Sequence, residues 1–312
     1  MVTVNYNNRE GLKKTINTVL SQKARDDIQF IVIDGNSDDG SLDYLKEVEG
    51  LIDIVAYGDD KGVYDAMNRG VELSNSDYCI FMNSGDCFDS NEVVCEVIKH
   101  AESNSYPDFI YGSARYEDNS IWRPLDVRNI WRGMICCHQS AFFKTSLLKK
   151  LGSYSLSNTV VSDFELIAKF YSTGAQFSKL DLVISQIEPV GISADFTTRT
   201  LERWKVIRKL QFGSVDIDEI DTFYRDLLST NGDWAAPHFH TINKAQSSLI
   251  SNIEKRVCFL ISMPRSGSTL LQRIIDQSDE ISTAGEPWFM LPLASMYDES
   301  LIEASYGQNL NI

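Results

Sequence analysis

The sequence predicts an α/β fold with a mostly parallel sheet covered on both faces. Three observations carry that expectation. Over roughly the first 110 residues, short β-branched apolar runs alternate with amphipathic stretches of helical period. The runs end repeatedly in clusters of Asn, Asp, Gly and Ser, the residues of tight turns. The composition, 43% hydrophobic and 23% charged over 312 residues, is that of a globular chain able to bury a real core. It excludes a largely disordered or fibrous chain, and the length fits one large domain or two modest ones.

The elements follow in order. Val2 to Asn5 is β-branched and apolar and reads as the first strand. Residues 10–21 place Leu12, Ile16, Val19 and Leu20 on one face of a helix. Phe30 to Ile33 is a second buried strand, and Ser41 is positioned to cap a helix bearing Leu42, Leu45 and Val48. Ile52 to Tyr57 gives a third strand, residues 63–74 a helix, and Tyr78 to Met82 a fourth strand. A helix with Val93, Val94, Val97 and Ile98 starts near Ser90. Phe109 to Tyr111 reads as a short strand, and residues 115–135 as loops or edge strands. Helices are expected at 145–151, 163–173, Thr200 to Phe212 and Asp216 to Leu228. The polar stretch 230–254, with the Asn231-Gly232-Asp233 turn and Pro237, marks a boundary. Beyond it, Val257 to Ser262 predicts a strand, then a Gly-containing loop and a helix from Ser268.

Charge and hydropathy exclude several function classes. Lys and Arg number 29 against 44 Asp and Glu, a net charge of −15, which speaks against binding nucleic acid through the bulk field. An anionic substrate therefore needs a local positive site or a bridging metal. No apolar run reaches the ~18–20 residues of a membrane span, and the N-terminus has neither the basic nor the apolar region of a signal peptide. The six cysteines, Cys79, Cys87, Cys95, Cys136, Cys137 and Cys258, form no C-x-x-C pair and read as reduced thiols of a cytoplasmic protein.

In an open α/β sheet, ligands bind at the carboxyl ends of the strands. Those ends here are Asn5 to Asn8, Asp34 to Ser41, and Asn83 to Asp86. Taken singly each is an ordinary turn. Three at one sheet edge suit hydrogen bonding to a base and ribose, with an Asp to hold a divalent cation against a pyrophosphate.

Four of these stretches, in order and spacing, resemble family 2 glycosyltransferases, closest to the bacterial branch that builds capsule and exopolysaccharide. They are Val4 to Asn8, Val32 to Ser37, Lys61 to Gly70 and Phe81 to Asp86. The resemblance covers residues 1–195 and implies a GT-A fold, a nucleotide-sugar donor, a divalent metal (Mn²⁺ or Mg²⁺) and inversion at the anomeric carbon. It puts Tyr6 and Asp34 at the base, with Asn7 and Asn83 beside the donor, and Asp86 at the metal. The chain departs from the family's D-x-D pattern, with Asn83 and Gly85 where many relatives have Asp. Lys61 either bonds a phosphate or is a solvated surface Lys.

Cys137 to Ser140 and Ser162 to Leu166 match the same branch. An inverting transfer needs a group that takes the proton from the acceptor hydroxyl. The resemblance puts that base at Asp163, at the start of a helix, with Glu165 as the second candidate. A helix N-cap is the alternative role for Asp163. His138 and Gln139 fall where donor or acceptor is contacted, and His138 reads equally well as a structural histidine. Gly191 to Ser193 resembles the loop that closes the domain.

A second constellation, Ser262 to Thr269, lies between a predicted strand and helix. It lacks the Lys of a Walker A loop. It resembles the phosphosulfate loop of sulfotransferases that use 3′-phosphoadenosine-5′-phosphosulfate (PAPS). That resemblance gives Arg265 to the sulfonate, Ser266, Gly267, Ser268 and Thr269 to the phosphate, and Glu286 to the sulfotransferase base. The sequence runs to Ile312, so the parts that would hold the 3′-phosphate and adenine are expected to be absent, and PAPS is a cofactor only of a complete parent domain.

The expected organisation is a GT-A domain at 1–195, a helical extension and linker at 196–254, and a partial sulfotransferase domain at 255–312. The expected activity is transfer of a sugar from a nucleotide-sugar to a polysaccharide or lipid-linked glycan, in the cytoplasm, with room for peripheral association at the inner face of the membrane. Two other readings stay open: a fragment of a larger carbohydrate sulfotransferase, and a non-catalytic nucleotide-sugar-binding protein.

Overall fold

The computed structural model describes residues 1–158, 160–187, 196–210 and 215–229. The chain divides into two units, Met1–Gly232 and Asp233–Ile312, and the described residues all fall in the first.

Strands β1 (Val2–Asn5), β2 (Ile31–Asp34) and β3 (Ile54–Tyr57) alternate with helices α1 (Arg9–Leu20), α2 (Ser41–Val48) and α3 (Val63–Leu73). With β5 (Phe81–Asn83), which follows β4 (Tyr78–Cys79), they form a four-stranded parallel sheet in the order β3-β2-β1-β5. The second sheet is mixed. It adds β6 (Cys87–Phe88), β7 (Phe109–Tyr116), β8 (Ile121–Trp122), β9 (Ala141–Lys144) and β10 (Phe177–Ile187), in the order β4-β9-β7-β10-β6 with β8 on β7. Helices α4 (Val93–Ser103), α5 (Thr145–Lys150), α6 (Ser162–Ser172), α7 (Phe196–Leu210) and α8 (Ile217–Ser229) complete the described chain.

The main core lies between the sheets and α1, α2 and α4. Leu12, Ile16, Val19, Phe30, Val32, Leu45, Met82 and Val93 are fully buried there. Close packing sets one glycine. A Cβ on Gly70 of α3 would stand 2.3 Å from Val2 Cγ1, so the helix can cross β1 only without a side chain at that position.

Three differences from the sequence reading have clear causes. The apolar run at 78–82 is not one strand. Tyr78–Cys79 pairs antiparallel with β9, Phe81–Asn83 pairs parallel with β1, and the main-chain oxygen of Ile80 between them accepts from Val2 N. A run buried on both faces can serve two sheets, and hydropathy does not mark the switch. Ser41 does not cap α2; it is the first helical residue, the cap position is Gly40 with φ of 88°, and Asp39 accepts from both Ser41 N and Oγ. The strand expected at 109–111 runs on to Tyr116, because β10 pairs alongside it in parallel.

No helix among the described residues is long and apolar enough to cross a membrane. The described cysteines Cys79, Cys87, Cys95, Cys136 and Cys137 are free thiols. The loop at Gly191 to Ser193 and the residues Arg265, Ser266, Gly267, Ser268, Thr269 and Glu286, with Cys258, lie outside the described residues.

Candidate active site

The carboxyl ends of β1, β2 and β5 are tied together by side chains rather than left as separate turns. Asp34 is fully buried. Its carboxylate accepts from Asn5 Nδ2 at 2.7 Å, from Ser37 N at 2.8 Å and from Ser37 Oγ at 2.9 Å. Asn7 N donates to Ser37 Oγ, and Asn7 Oδ1 accepts from Asp38 N, so the loops after β1 and β2 are held at one level. Asn7 sits at φ of 49°, a left-handed conformation that Asn tolerates well.

This scaffold leaves Tyr6 70% exposed at the edge. A Cβ on Gly35 would lie 3.2 Å from the Tyr6 ring and 2.8 Å from Asp60 Oδ2. Tyr6, the bare Gly35 backbone and Asp60 thus share one spot. Lys61, next in the chain, is exposed; its main-chain N donates to Asp65.

The turn Asn83 to Asp86 is bolted to α1. Asn8 caps that helix through Gly11 N and donates to Ser84 O. The Thr15 hydroxyl donates to Asp86 O at 2.7 Å and accepts from Gly85 N at 3.0 Å. Asp86 is buried, and Gln139 Nε2 donates to its Oδ2 at 3.0 Å. Gln139 Oε1 in turn accepts from the Cys137 thiol at 3.0 Å. Asn83 Oδ1 is buried with no hydrogen-bond partner among the described residues. A carboxylate and an orphaned amide oxygen on one turn are hard oxygen donors that fit a divalent cation. The described residues hold no cluster of three His, Cys, Asp or Glu that could hold a metal ion.

Asp163 is the second residue of α6, not its cap, which is Val161. Its Oδ1 accepts from Phe164 N at 2.7 Å and it is half-buried. The aromatic side chains next to it form a compact group. The Tyr64 ring stacks on Tyr154 at 5.3 Å, and the Tyr154 hydroxyl hydrogen-bonds His138 Nε2. His138 stacks on Phe81 at 5.5 Å. Burial and the Asp163 charge push the Tyr64 phenol far above its ordinary range, so it stays protonated. Burial pushes His138 down against the opposing pull of Asp163, so its ring is neutral near pH 7. A buried, stacked and hydrogen-bonded His138 fits the structural role.

Asp163 and Glu165 differ sharply. Glu165 is buried, ion-paired to Lys169 at 3.0 Å one turn on, and accepts from Asn158. Asp163 has no ion pair within 4 Å among the described residues.

The short Cys137 to Gln139 segment brings Gln139 to Asp86 and His138 to Tyr154, and burial, then the Asp86 and Asp163 charges, push the Cys137 thiol up. Tyr6, Asn7 and Asp34 form the neighbouring edge, and Lys61 stands apart in solvent. Ser37, Thr15, Asp60, Tyr64 and Tyr154 were missed by sequence reasoning. Tyr64 and Ser37 lie inside stretches already quoted, and the signal was available there. Asn68, in the same stretch as Tyr64, clamps Tyr154 through both its main-chain N and O.

The family model described as "Glycosyl transferase family 2" matches residues 1–156, half of the chain, and one described as "Sulfotransferase family" matches residues 258–309. An uncharacterized glycosyltransferase of Mycobacterium tuberculosis is 30% identical over 175 residues, covering 54% of this chain and 67% of that protein. The poly(ribitol-phosphate) beta-N-acetylglucosaminyltransferase TarP of Staphylococcus aureus is 25% identical over 164 residues, 45% of this chain and 50% of that protein. Among solved structures, S. aureus TarS in complex with UDP-GlcNAc matches with a TM-score of 0.58 at 14% identity, covering 74% of this chain and 71% of that one. A mannosyltransferase of Pyrobaculum calidifontis in complex with GDP-Man and Mn²⁺ matches at 0.51 and 14% identity, covering 89% of this chain and 80% of that one. At such identities the structures establish the GT-A fold.

Proposed function

The chain belongs to glycosyl transferase family 2 and is a glycosyltransferase of that type, and from that premise we propose that it moves a sugar with inversion from a nucleotide-diphosphate donor to a hydroxyl of a polysaccharide or lipid-linked glycan. The observation that carries the reading is the strand edge itself, where Gln139 holds the buried Asp86 carboxylate beside the orphaned Asn83 Oδ1, next to the exposed Tyr6 and the bare Gly35 backbone. The donor-bound structures of TarS and the Pyrobaculum enzyme support a nucleotide-sugar donor.

In this reading the exposed Tyr6 ring packs on the base, where Gly35 leaves room beside Asp60. The loop organised by Asp34, Asn7 and Ser37 holds the ribose. Asn83 and Asp86 would hold a divalent cation, Mn²⁺ or Mg²⁺, with Gln139 fixing the carboxylate. The chemistry the cation supplies is neutralisation of charge on the leaving diphosphate, a need sharpened by a chain of net charge −15. Asp163 takes the acceptor hydroxyl's proton as that oxygen bonds the anomeric carbon. The bond from that carbon to the diphosphate oxygen breaks from the opposite face, which inverts the centre. The protonated Tyr64 and the neutral His138–Tyr154 pair shape the wall around Asp163.

The stretch 255–312 carries a second reading, favoured by the sulfotransferase match at 258–309. Arg265 and the run Ser266 to Thr269 form a phosphosulfate loop, with Glu286 as its base. Because only the phosphosulfate end of PAPS would be held, the full chain should bind PAPS weakly and its Arg265→Ala variant more weakly still; a variant that binds as well as the parent removes Arg265 from the loop. The place of action we propose is the cytoplasmic side, at or near the membrane that carries a lipid-linked acceptor.

A thermal-shift and calorimetric screen of UDP-, GDP- and dTDP-sugars with Mn²⁺ tests the main reading. A true donor at a hundredfold excess over Kd stabilises by about 2.7 kcal/mol. If no nucleotide sugar shifts the melting temperature or is hydrolysed, the assignment fails.

A further inference from the structure

Three adjacent strands run one residue past their ends in register. Gly35 N donates to Asn5 O at 2.9 Å and Gly58 N to Asp34 O at 3.1 Å, which extends the parallel pairing of β1, β2 and β3. Gly35 is therefore the middle of a floor, with Tyr6 on the β1 side and the 58–62 loop on the β3 side. The floor carries no side chain of its own. A Cβ on Gly35 would stand 2.8 Å from Asp60 Oδ2 and 3.2 Å from Tyr6 Cδ2, so one point above its backbone touches both a carboxylate oxygen and an aromatic ring.

That ring is 70% exposed, and the carboxylate has one oxygen to spare. Asp60 is half-buried; its Oδ1 accepts from Gly62 N at 2.8 Å, and its Oδ2 has no hydrogen-bond partner among the described residues. The loop is held in place: Asn36 Nδ2 donates to Asp59 Oδ1 at 2.9 Å, and Arg69 donates to the main-chain oxygens of Tyr57 and Gly58. Asp34, the carboxylate that the family resemblance puts at the base, is fully buried, and its two oxygens already accept from Asn5 and Ser37. Asp60 is the carboxylate that stands beside Tyr6.

A base stacked on the Tyr6 ring turns its edge toward Asp60 Oδ2. A carboxylate accepts and does not donate, so it pairs with a ring N–H and repels a bare ring nitrogen. Uracil and thymine carry one N–H between two carbonyls. Cytosine and adenine have a lone pair at the matching position. Guanine offers two adjacent donors, which suit a carboxylate with both oxygens free, whereas here Gly62 N holds Oδ1.

We propose that Asp60 is the specificity-determining residue of the donor site and selects a pyrimidine dione, uracil or thymine, by accepting its ring N–H at Oδ2. The proposal rests on the reading of the chain as nucleotide-sugar-dependent with Tyr6 at the base. The full chain in Mn²⁺ is titrated by calorimetry with UDP, dTDP, CDP, GDP and ADP. Every protein carries Arg265→Ala, so that the Ser262 to Thr269 run does not contribute. UDP or dTDP is expected to bind at least about tenfold tighter than CDP, GDP or ADP, and the better of the two names the nucleoside. Asp60→Asn keeps an oxygen for Gly62 N and turns an NH₂ group to the base. It is expected to weaken UDP and dTDP at least about tenfold while CDP holds or improves, so the preference narrows or reverses. A merely structural role for Asp60 would weaken every nucleotide alike. Asp59→Asn, on the same loop, is the control and is expected to keep the parent's order. The proposal is overturned if the parent prefers CDP, GDP or ADP or binds all bases alike. It is also overturned if Asp60→Asn keeps the parent's preference or weakens every nucleotide equally. If no nucleoside diphosphate binds the parent, the donor reading itself fails; a failure confined to base preference leaves that reading standing.

Discussion

The Gln139 side-chain amide donates to the Asp86 carboxylate at 3.0 Å, while the Asp86 main-chain oxygen accepts the Thr15 hydroxyl at 2.7 Å. Two anchors from different elements thus fix the Asp86 carboxylate in the turn after β5. In the proposed function, this carboxylate and Asn83 Oδ1 are the residues that would hold the divalent cation.

Asp86→Asn is expected to lower nucleotide-sugar affinity in Mn²⁺ at least tenfold, about 1.4 kcal/mol. Asn is isosteric and its Oδ1 still accepts from Gln139, so the turn should keep its shape. Calorimetry in Mn²⁺ and in EDTA should show a wide gap for the parent and a narrow one for the variant. Equal gaps would remove Asp86 from the metal.

Asp163→Asn should cut turnover by about 10²–10⁴, the usual scale for losing a general base, with donor affinity retained. The amide oxygen still accepts from Phe164 N. Glu165→Gln should cost far less turnover, because that carboxylate is already committed to Lys169 and Asn158. A Glu165→Gln enzyme as impaired as Asp163→Asn would reverse the two roles.

Most of the parallel sheet was legible in the sequence, because Val2 to Asn5, Phe30 to Ile33 and Ile52 to Tyr57 are apolar runs bounded by turn residues, within two residues of the observed strands. The strand Phe177–Ile187 escaped notice. Its Leu180, Leu182 and Ile184 alternate with Lys179, Asp181 and Ser185, a period-two signal broken by Val183, where the pairing with β7 shifts register. The strand ends of the candidate site, Asp34 and Asp86, could be named from the sequence because turn residues mark them. The site was not legible where tertiary contacts build it. Nothing local says that Asn68 clamps Tyr154, that Tyr154 meets His138, or that Arg203 on α7 packs over Phe164.

Gly112→Ala tests the pairing of β7 with β10. A Cβ there would meet the Leu182 main-chain oxygen at 2.6 Å and Ile184 Cδ1 at 2.8 Å. Backbone cannot retreat cheaply, so the variant should lose on the order of 1–3 kcal/mol in urea denaturation. Gly50→Ala, where an added Cβ meets nothing within 4 Å, is the matched control and should be neutral or slightly stabilising. A Gly112→Ala protein as stable as Gly50→Ala would mean the two strands are not in this register.

Stability should fall with acid through His138. Burial lowers its value in the folded protein below the ordinary 6.5, while the unfolded chain keeps that ordinary value. The unfolded state therefore binds the extra proton first, and stability rises with pH across that interval. The contribution is fully present above about pH 6.5 and is lost as pH falls through that value toward the lower folded one. His100, also lowered by burial, adds a term of the same sign, so the comparison belongs in a His100→Gln background. In that background, urea midpoints at pH 7.5, 6.5 and 5.5 should drop steadily with His138 present. They should drop less with His138→Asn, whose side chain titrates at none of these values. If both proteins lose the same stability, protonation of His138 is not what acid does to the fold, and its ring must be charged or exposed at neutral pH. A neutral His138 also predicts that turnover between pH 7 and 8 shows no inflection from this ring, leaving the acid limb of the rate profile to the carboxylates.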